Sequence, residues 1–174
     1  MTITAQLTLN DGERSIELSL QSGALAKLAE ALIDHEDTAE TLDWLSRHTD
    51  SSVRKAIARK KCLPAAAVRR LGADPAMEVT LELIRSLHAR RVLTSGEVLS
   101  LCQRDPAVAE TIAGRYEDLA LDDDAVVTFL ERHADSRVRL ALAGNAFVPK
   151  PVLRRLAQSD PDAGVRNDAR LMLE

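Results

Sequence analysis

The sequence predicts an all-α fold, an α-solenoid of helix-pair repeats with a period of about 28 residues, preceded by a β-hairpin. Residues 45–71 and 130–156 lie 85 positions apart and share 13 of 27 residues, which marks an internal repeat. An Asp-x-x-Val element recurs on the same frame. Only 2% of the residues are aromatic, so we expect a core of Leu, Val, Ile and Ala, as closely packed helices use.

The hairpin is predicted by alternating apolar and polar residues on either side of Asn10-Asp11-Gly12. Its apolar residues are Ile3, Ala5, Leu7, Leu9, Ile16, Leu18 and Leu20. Because a lone hairpin is marginally stable in water, we expect this apolar face to cover the open end of the first helix pair. The predicted division is a hairpin cap at residues 1–21 and a solenoid at residues 22–174, within one structural domain.

A helical pattern follows the hairpin. Leu25, Leu28 and Leu32 share one helical face, and a second helix through Leu42 and Leu45 completes a divergent first repeat. Later repeats have an Asp as N-cap, a Val three positions on, a short helix, a break and a second helix. The Asp-x-x-Val elements are Asp50/Val53, Asp105/Val108, Asp135/Val138, Asp162/Val165 and, stretched, Asp74/Val79. The second helices read Leu63…Val68…Leu71, Leu93…Val98…Leu101, Leu121…Val126…Phe129 and Val148…Leu153…Leu156, with spacings of 30, 28 and 27.

These repeats resemble the leucine-rich-repeat-variant and HEAT-like families of α-solenoids. The best match is VRLALAGNAFVPKPVLRRLAQSDPDAGVR at residues 138–166, together with Asp-x-x-Val-Arg at 50–54, 135–139 and 162–166. The resemblance implies a curved, right-handed stack whose second helices line the concave face. Some leucine-rich-repeat-variant proteins carry an iron–sulfur cluster on cysteines near the N-terminus. This chain lacks that cysteine group, so no cofactor is expected.

The cysteines and the N-terminal segment indicate a cytoplasmic protein. Cys62 and Cys102 form no C-x-x-C pair, and both are expected to be small buried hydrophobic residues. The first residues lack the basic and then apolar run of a signal peptide. No apolar run reaches the roughly 18 to 20 residues that span a bilayer, so no membrane contact is expected.

An enzyme and a metal site are not expected. The sequence has no glycine-rich phosphate loop, G-x-S-x-G or H-E-x-x-H motif. His48 and His133 occupy equivalent positions three repeats apart, roughly 25–30 Å, too far to share an ion; each is interpreted as a polar residue at a helix C-terminus, where the dipole favours a cation. The Asp and Arg of each Asp-x-x-Val-Arg element recur, so we expect them to cap a helix and bridge to the next repeat rather than to catalyse.

The candidate binding residues come from aligning the second helices. The two positions that follow Leu42, Val68, Val98, Val126 and Leu153 are aligned. They read Asp43-Trp44, Arg69-Arg70, Leu99-Ser100, Val127-Thr128 and Arg154-Arg155. One interpretation is a concave groove in which two arginine pairs flank an apolar floor of Leu99 and Val127, with Trp44 as an interface residue. The alternative is that Leu99, Val127 and Trp44 are ordinary core and the arginines a solvated face.

The first function predicted is therefore a non-catalytic scaffold that binds a protein or peptide with an acidic or amphipathic segment. The second is a nucleic-acid-binding HEAT-like solenoid, for which the basic run at residues 47–70 would contact phosphates. The acidic flanks and the scarcity of aromatic residues argue against it. A repair-type enzyme is the third. The net charge of −4 does not show that acidic and basic residues are segregated along the chain. Residues 1–46 carry nine acids against two bases.

Overall fold

The chain is mostly helical, as predicted. A computed structural model describes residues 5–10, 12, 15–116 and 124–174. The strands are β1 (Ala5–Asn10) and β2 (Ser15–Leu20). The helices are α1 (Ser22–Ala31), α2 (Ala39–Leu45), α3 (Ser51–Ala58), α4 (Ala65–Gly72), α5 (Met77–Ile84), α6 (Leu87–Val92), α7 (Ser95–Arg104), α8 (Pro106–Ala113), α9 (Asp124–Glu131), α10 (Ser136–Ala143), α11 (Lys150–Ser159) and α12 (Ala163–Leu171). Within the described ranges, every helix is too short to cross a bilayer.

Contacts within the chain define two compact units, Met1–Ser86 and Leu87–Glu174, called here the first and second units. In the first unit α1, α3 and α5 pack side by side in chain order, while α2 and α4 contact each other and α3. In the second unit α8, α10 and α12 pack in chain order, and α7 contacts α9. Each unit therefore has a row of alternate helices, as stacked helix pairs require. The solenoid, its period and the division at residue 21 stay predictions, and Leu121 of the predicted third second helix lies outside the described residues.

The two repeated segments each hold a helix pair at matching positions. Helices α3 and α10 begin 85 residues apart, at Ser51 and Ser136, and α4 and α11 begin 85 residues apart as well. Val53 and Val138, the equivalent valines of the Asp-x-x-Val element, are both 0% exposed. The valine therefore has the same role in both copies, which is to fix the first helix of the pair in the core.

The aspartate of the element is a helix N-cap, as predicted. Asp50 accepts the Ser52 N–H at 2.8 Å, and Asp135 accepts the Arg137 N–H at 2.9 Å. The equivalent residues of α8 and α12 are Asp105 and Asp162. Each such cap satisfies an N–H that the first helical turn leaves without a partner, and is worth about 1 kcal/mol.

The arginine of the element ties one helix pair to the next, again as predicted. The Arg54 guanidinium donates to both carboxylate oxygens of Asp74, at 2.6 and 2.9 Å, and Arg139 donates to both oxygens of Asp160, at 2.8 and 3.1 Å. Asp74 and Asp160 precede α5 and α12, and their side chains are 4% and 2% exposed. In both copies the remaining arginine nitrogen donates to two carbonyl groups in the loop that precedes its own helix.

The two equivalent histidines act as hydrogen-bond acceptors. His48 Nδ1 accepts the Asp50 N–H at 3.1 Å, and His133 Nδ1 accepts the Asp135 N–H at 3.1 Å. Both residues follow the last turn of a helix, as predicted, and each ring orients the N-cap aspartate two positions further on.

Strand β2 of the hairpin leaves its apolar residues largely exposed, and the cover that the whole hairpin was expected to give the first helix pair stays a prediction. The strands are antiparallel, and Leu7 pairs with Leu18 and Leu9 with Ile16. Ile16 and Leu18 are 57% and 43% exposed. Strand β2 contacts α1, and among its described side chains the partly buried one is Leu20, at the end where the chain enters α1. The apolar face of β2 thus remains largely open to solvent.

Candidate functional site

The predicted apolar floor does not exist as proposed, because Val127 belongs to the core. Its exposure is 4%, and Val126 and Leu130 on the same helix are also buried. Helix α9 thus turns the pair Val127 and Leu130 inward, whereas Phe129, expected as the second core residue, is only half-buried. Leu99 on α7 is half-buried and keeps an open edge. A partner could contact Leu99 but not Val127.

Two of the four candidate arginines are held by carboxylates of the chain itself. Arg70 donates to Asp43 at 3.0 Å and to the Ser46 hydroxyl, so it ties α4 to α2. At the equivalent position, Arg155 donates to both oxygens of Glu131 at 2.6 and 2.7 Å and ties α11 to α9. The Glu131 carboxylate raises the pKa of Arg155. These arginines join consecutive second helices and are not unpaired cations for an acidic partner.

The other two candidate arginines are on the surface. Arg69 on α4 and Arg154 on α11 are exposed. Arg69 lies in the first unit, and Leu99, Arg154 and Arg155 lie in the second. The single groove that would join all of them stays a prediction.

Two depressions are lined by described residues of the second unit. One, of about 350 Å³, is lined among others by Glu131, Arg155 and Asp160. The other, of about 710 Å³ and wide open, includes Leu99 and Phe129, and the Phe129 ring meets the His133 ring edge to face at 5.4 Å between centroids. Leu99 and Arg155 therefore each line a local depression, but the charged groups around Arg155 neutralise one another.

A partly enclosed, mainly apolar concavity lies in the first unit, and we call it the Trp44 pocket. It has a volume of about 220 Å³. Its lining consists of Gln6, Leu20, Leu25, Leu28, Ala29, Leu32, Thr41, Trp44 and Leu45. Trp44, the only tryptophan of the chain, is 58% exposed. The core alternative for Trp44 is therefore wrong.

The α1 wall of the Trp44 pocket is held in place by core packing and by hydrogen bonds at the C-terminal end of the helix. The helix buries Leu25 and Ala29, and leaves Leu28 and Leu32 half-buried on the pocket side. The Lys60 ammonium, only 8% exposed, donates to the carbonyl groups of Glu30 and Leu32 at 2.9 and 2.6 Å. These carbonyls belong to the last turn of α1, where a cation is favourable.

The loop after α1 is fixed by Asp34. Its carboxylate accepts the Lys61 and Cys62 N–H groups at 2.7 to 2.9 Å. Burial raises the pKa of Asp34, but these two N–H groups, the Cys62 side chain and the charge of Lys60 together lower it by more, so the net shift is downward. The pocket wall and the loop that follows it are therefore held by charge-assisted hydrogen bonds.

The wall that α2 contributes is held by Asp43. This carboxylate accepts from Arg47 at 2.8 Å as well as from Arg70. The Arg47 guanidinium lowers the pKa of Asp43 most, burial opposes it, and Arg70 adds to the lowering. Thr41 and Trp44, three residues apart on α2, line the pocket together. Sequence reasoning selected Trp44 but missed Leu28 and Leu32, whose four-residue spacing in a divergent repeat was the available signal.

Most basic side chains of the run at residues 47–70 already have partners within the first unit. Arg47 and Arg70 both pair with Asp43, and Arg54 pairs with Asp74. Arg59 pairs with Glu82 at 3.0 Å and Lys60 with backbone carbonyls. The eight bases of this run thus form no continuous cationic surface.

Neither thiol has the properties of a nucleophile. Cys102 is 1% exposed, and burial raises its pKa to about 12. Cys62 is half-buried rather than buried as expected, and burial and then Asp34 raise its pKa. Among the described residues, no group of three His, Cys, Asp or Glu side chains is placed to hold a metal ion. Comparison of the chain with protein-family models, with curated proteins and with solved structures gives no match.

Proposed function

We propose that this chain is a non-catalytic scaffold that binds a protein or peptide, and that the Trp44 pocket is its binding site. The observation that carries the proposal is the position of Trp44, more than half exposed at the edge of a pocket lined mainly by leucine and alanine. Tryptophan is enriched among the residues that dominate binding energy at interfaces, because it combines a large apolar surface with a single donor. A buried tryptophan would have been the ordinary use of this residue in a helical core.

The size of the pocket supports a macromolecular partner. About 220 Å³ is below the range of roughly 300–1,000 Å³ that is usual for small-molecule sites. It suits one or two inserted side chains of a partner that also covers the surrounding surface. Ile33, which is 74% exposed, adds apolar surface next to the α1 wall.

The scaffold part of the proposal is an α-solenoid of the leucine-rich-repeat-variant or HEAT-like kind. Its support is the pair of equivalent ties, Arg54 to Asp74 and Arg139 to Asp160, which join one helix pair to the next in the same way in both copies. Such repeat stacks present extended binding surfaces because each repeat contacts only its neighbours.

Binding of nucleic acid is the alternative, and the ion pairs argue against it. A phosphate that approached the basic run would have to compete with the carboxylates that already hold Arg47, Arg54, Arg59 and Arg70. Affinity for nucleic acid comes mainly from bases that are available to phosphates. The first unit offers few of them. No observation favours the third possibility, a repair-type enzyme.

The proposal is tested by capture from cell extract with three immobilised proteins: the wild type, Trp44→Ala and Leu171→Ala. Leu171 is the matched control, since it is 60% exposed but lies in the second unit. We expect a protein that the wild type and Leu171→Ala retain, that Trp44→Ala loses, and that nuclease does not release. Retention by Trp44→Ala, or release by nuclease, would contradict the proposal.

A further inference from the structure

The surface around the Trp44 pocket is acidic. Between residues 15 and 46 the chain carries seven acids, and Lys27 is the one base. Several of these acids already have partners in the first unit. Asp43 pairs with Arg47 and Arg70, Asp34 accepts backbone N–H groups, and Glu30 lies 3.7 Å from Arg59.

Two carboxylates close to the pocket remain available. Glu36 and Glu40 are exposed, and neither forms an ion pair with another described residue. Glu40 precedes Trp44 by four residues on α2, so the two side chains lie one above the other on the same helix face. Glu36 lies one turn further back, in the short 3₁₀ turn that leads into α2. The exposed indole therefore has negative charge on the side of the helix N-terminus.

We infer that the Trp44 pocket takes an apolar side chain from a partner segment that carries Lys or Arg next to it, an inference that rests on the proposed function. The apolar side chain enters between Leu28, Leu32 and Trp44. The neighbouring cation lies against the carboxylates of Glu36 and Glu40, and its stem covers the indole face. Such a segment gains from apolar burial and from charge complementarity at the same site.

The charge also disfavours two other occupants. A second copy of this chain, docked symmetrically, would bring the same carboxylates together and repel itself. An acidic segment, the partner expected from the sequence, would be repelled at this pocket by Glu36 and Glu40, and Arg70 and Arg155 are already held by Asp43 and Glu131. The inferred partner is thus basic and apolar rather than acidic.

Two synthetic amphipathic peptides of about 18 residues serve as probes, one of Leu and Lys and the other of Leu and Glu on the same pattern. Because Trp44 is the only tryptophan, its fluorescence reports on this site alone when the peptides contain none. At about 50 mM salt we expect the Leu/Lys peptide to shift the emission to shorter wavelength and to bind at least about 10-fold more tightly than the Leu/Glu peptide.

Charge-reversal variants distinguish the effect of a carboxylate at the pocket from the effect of the protein's net charge. Glu40→Lys should weaken binding of the Leu/Lys peptide about 3- to 10-fold, since it replaces an attraction by a repulsion next to the pocket. Glu174→Lys changes the net charge equally at a residue that does not line the pocket, and should weaken binding less than about 2-fold. Trp44→Ala, measured by calorimetry, should weaken it at least about 10-fold.

The outcomes distinguish this inference from the proposed function. If the Leu/Glu peptide binds as tightly, or if Glu174→Lys weakens binding as much as Glu40→Lys, the inferred chemistry is wrong while the pocket remains a binding site. A dimer that forms through Trp44 would assign the pocket to a second copy and overturn the inference as well. If neither peptide changes the Trp44 emission, both the inference and the proposed function fail at this pocket.

Discussion

Replacing Asp160 by asparagine is expected to destabilise the second unit far more than neutralising an exposed carboxylate of the same unit. The Arg139 and Asp160 side chains are 10% and 2% exposed, so Asp160→Asn leaves a buried guanidinium without its counter-ion. Loss of one partner from a buried pair costs about 3–5 kcal/mol. Arg139 keeps the carbonyl acceptors of His133 and Ala134, at 2.6 and 3.1 Å, which places the cost near the lower end, about 3 kcal/mol.

Glu131→Gln is the matched control. The Arg155–Glu131 pair is also bidentate and in the second unit, but the Arg155 side chain is 55% exposed. Water and salt weaken such a pair, so its loss should cost only about 0.5 kcal/mol. For a chain of this length the expected decreases in Tm are about 6–12 °C for Asp160→Asn and about 1–2 °C for Glu131→Gln.

The assay is thermal and urea unfolding followed by circular dichroism. Asp74→Asn, at the equivalent tie in the first unit, should repeat the larger effect, since Arg54 and Asp74 are 12% and 4% exposed. Equal losses for Asp160→Asn and Glu131→Gln, or a loss below about 1 kcal/mol for Asp160→Asn, would refute the reasoning.

The same tie should depend on pH. Burial raises the pKa of Asp160, but hydrogen bonds from Arg139 and the Asp162 N–H lower it by more, so it is lower in the folded protein. Such a carboxylate stabilises the fold fully above its unfolded pKa of about 3.9, and that stability is lost as pH falls through the folded pKa. The difference in unfolding free energy between the wild type and Asp160→Asn should therefore be constant from about pH 7 to 5 and shrink below about pH 4.

Two further predictions concern the thiols and the hairpin. Ellman's reagent at a pH of about 8 should leave Cys102 unreacted in the native protein, because it is buried and its pKa is about 12, and should label both cysteines in concentrated guanidinium chloride; native labelling of Cys102 would show that its helix opens. The double replacement Ile16→Thr with Leu18→Thr should change the unfolding free energy by less than about 0.5 kcal/mol and reduce light scattering on storage, since both side chains are exposed. A decrease in Tm of more than about 4 °C would mean instead that this face is buried.

The repeated helix pairs were predictable because their signal is local. Each role depends on a short stretch of chain: an Asp caps a helix, a Val enters the core, and an Arg pairs with the Asp that precedes the next helix pair. The identity between residues 45–71 and 130–156 therefore carried over to α3 with α4 and α10 with α11. The caps by Asp50 and Asp135 follow from the same local chemistry.

The candidate site was less predictable, because exposure depends on helix rotation. Helix α9 has apolar residues at Val126, Val127, Phe129 and Leu130. The helical period alone therefore allows either Val126 with Phe129 or Val127 with Leu130 to face the core. The structure buries Val126, Val127 and Leu130 and leaves Phe129 half-buried. Sequence also shows charges but not their partners. Arg70 and Arg155 looked available because Asp43 and Glu131 lie 27 and 24 residues away in the chain.

The arginine ties make the spacing between helix pairs adjustable. Arg54 reaches an aspartate 20 residues ahead, whereas Arg139 makes the same two bonds with an aspartate 21 residues ahead. Helix α4 has 8 residues and α11 has 10, yet both joints close with the same geometry of one guanidinium on one carboxylate. The same two-bond tie therefore forms across intervening segments that differ by one residue, so contact between one helix pair and the next does not require a fixed number of residues between the arginine and its aspartate.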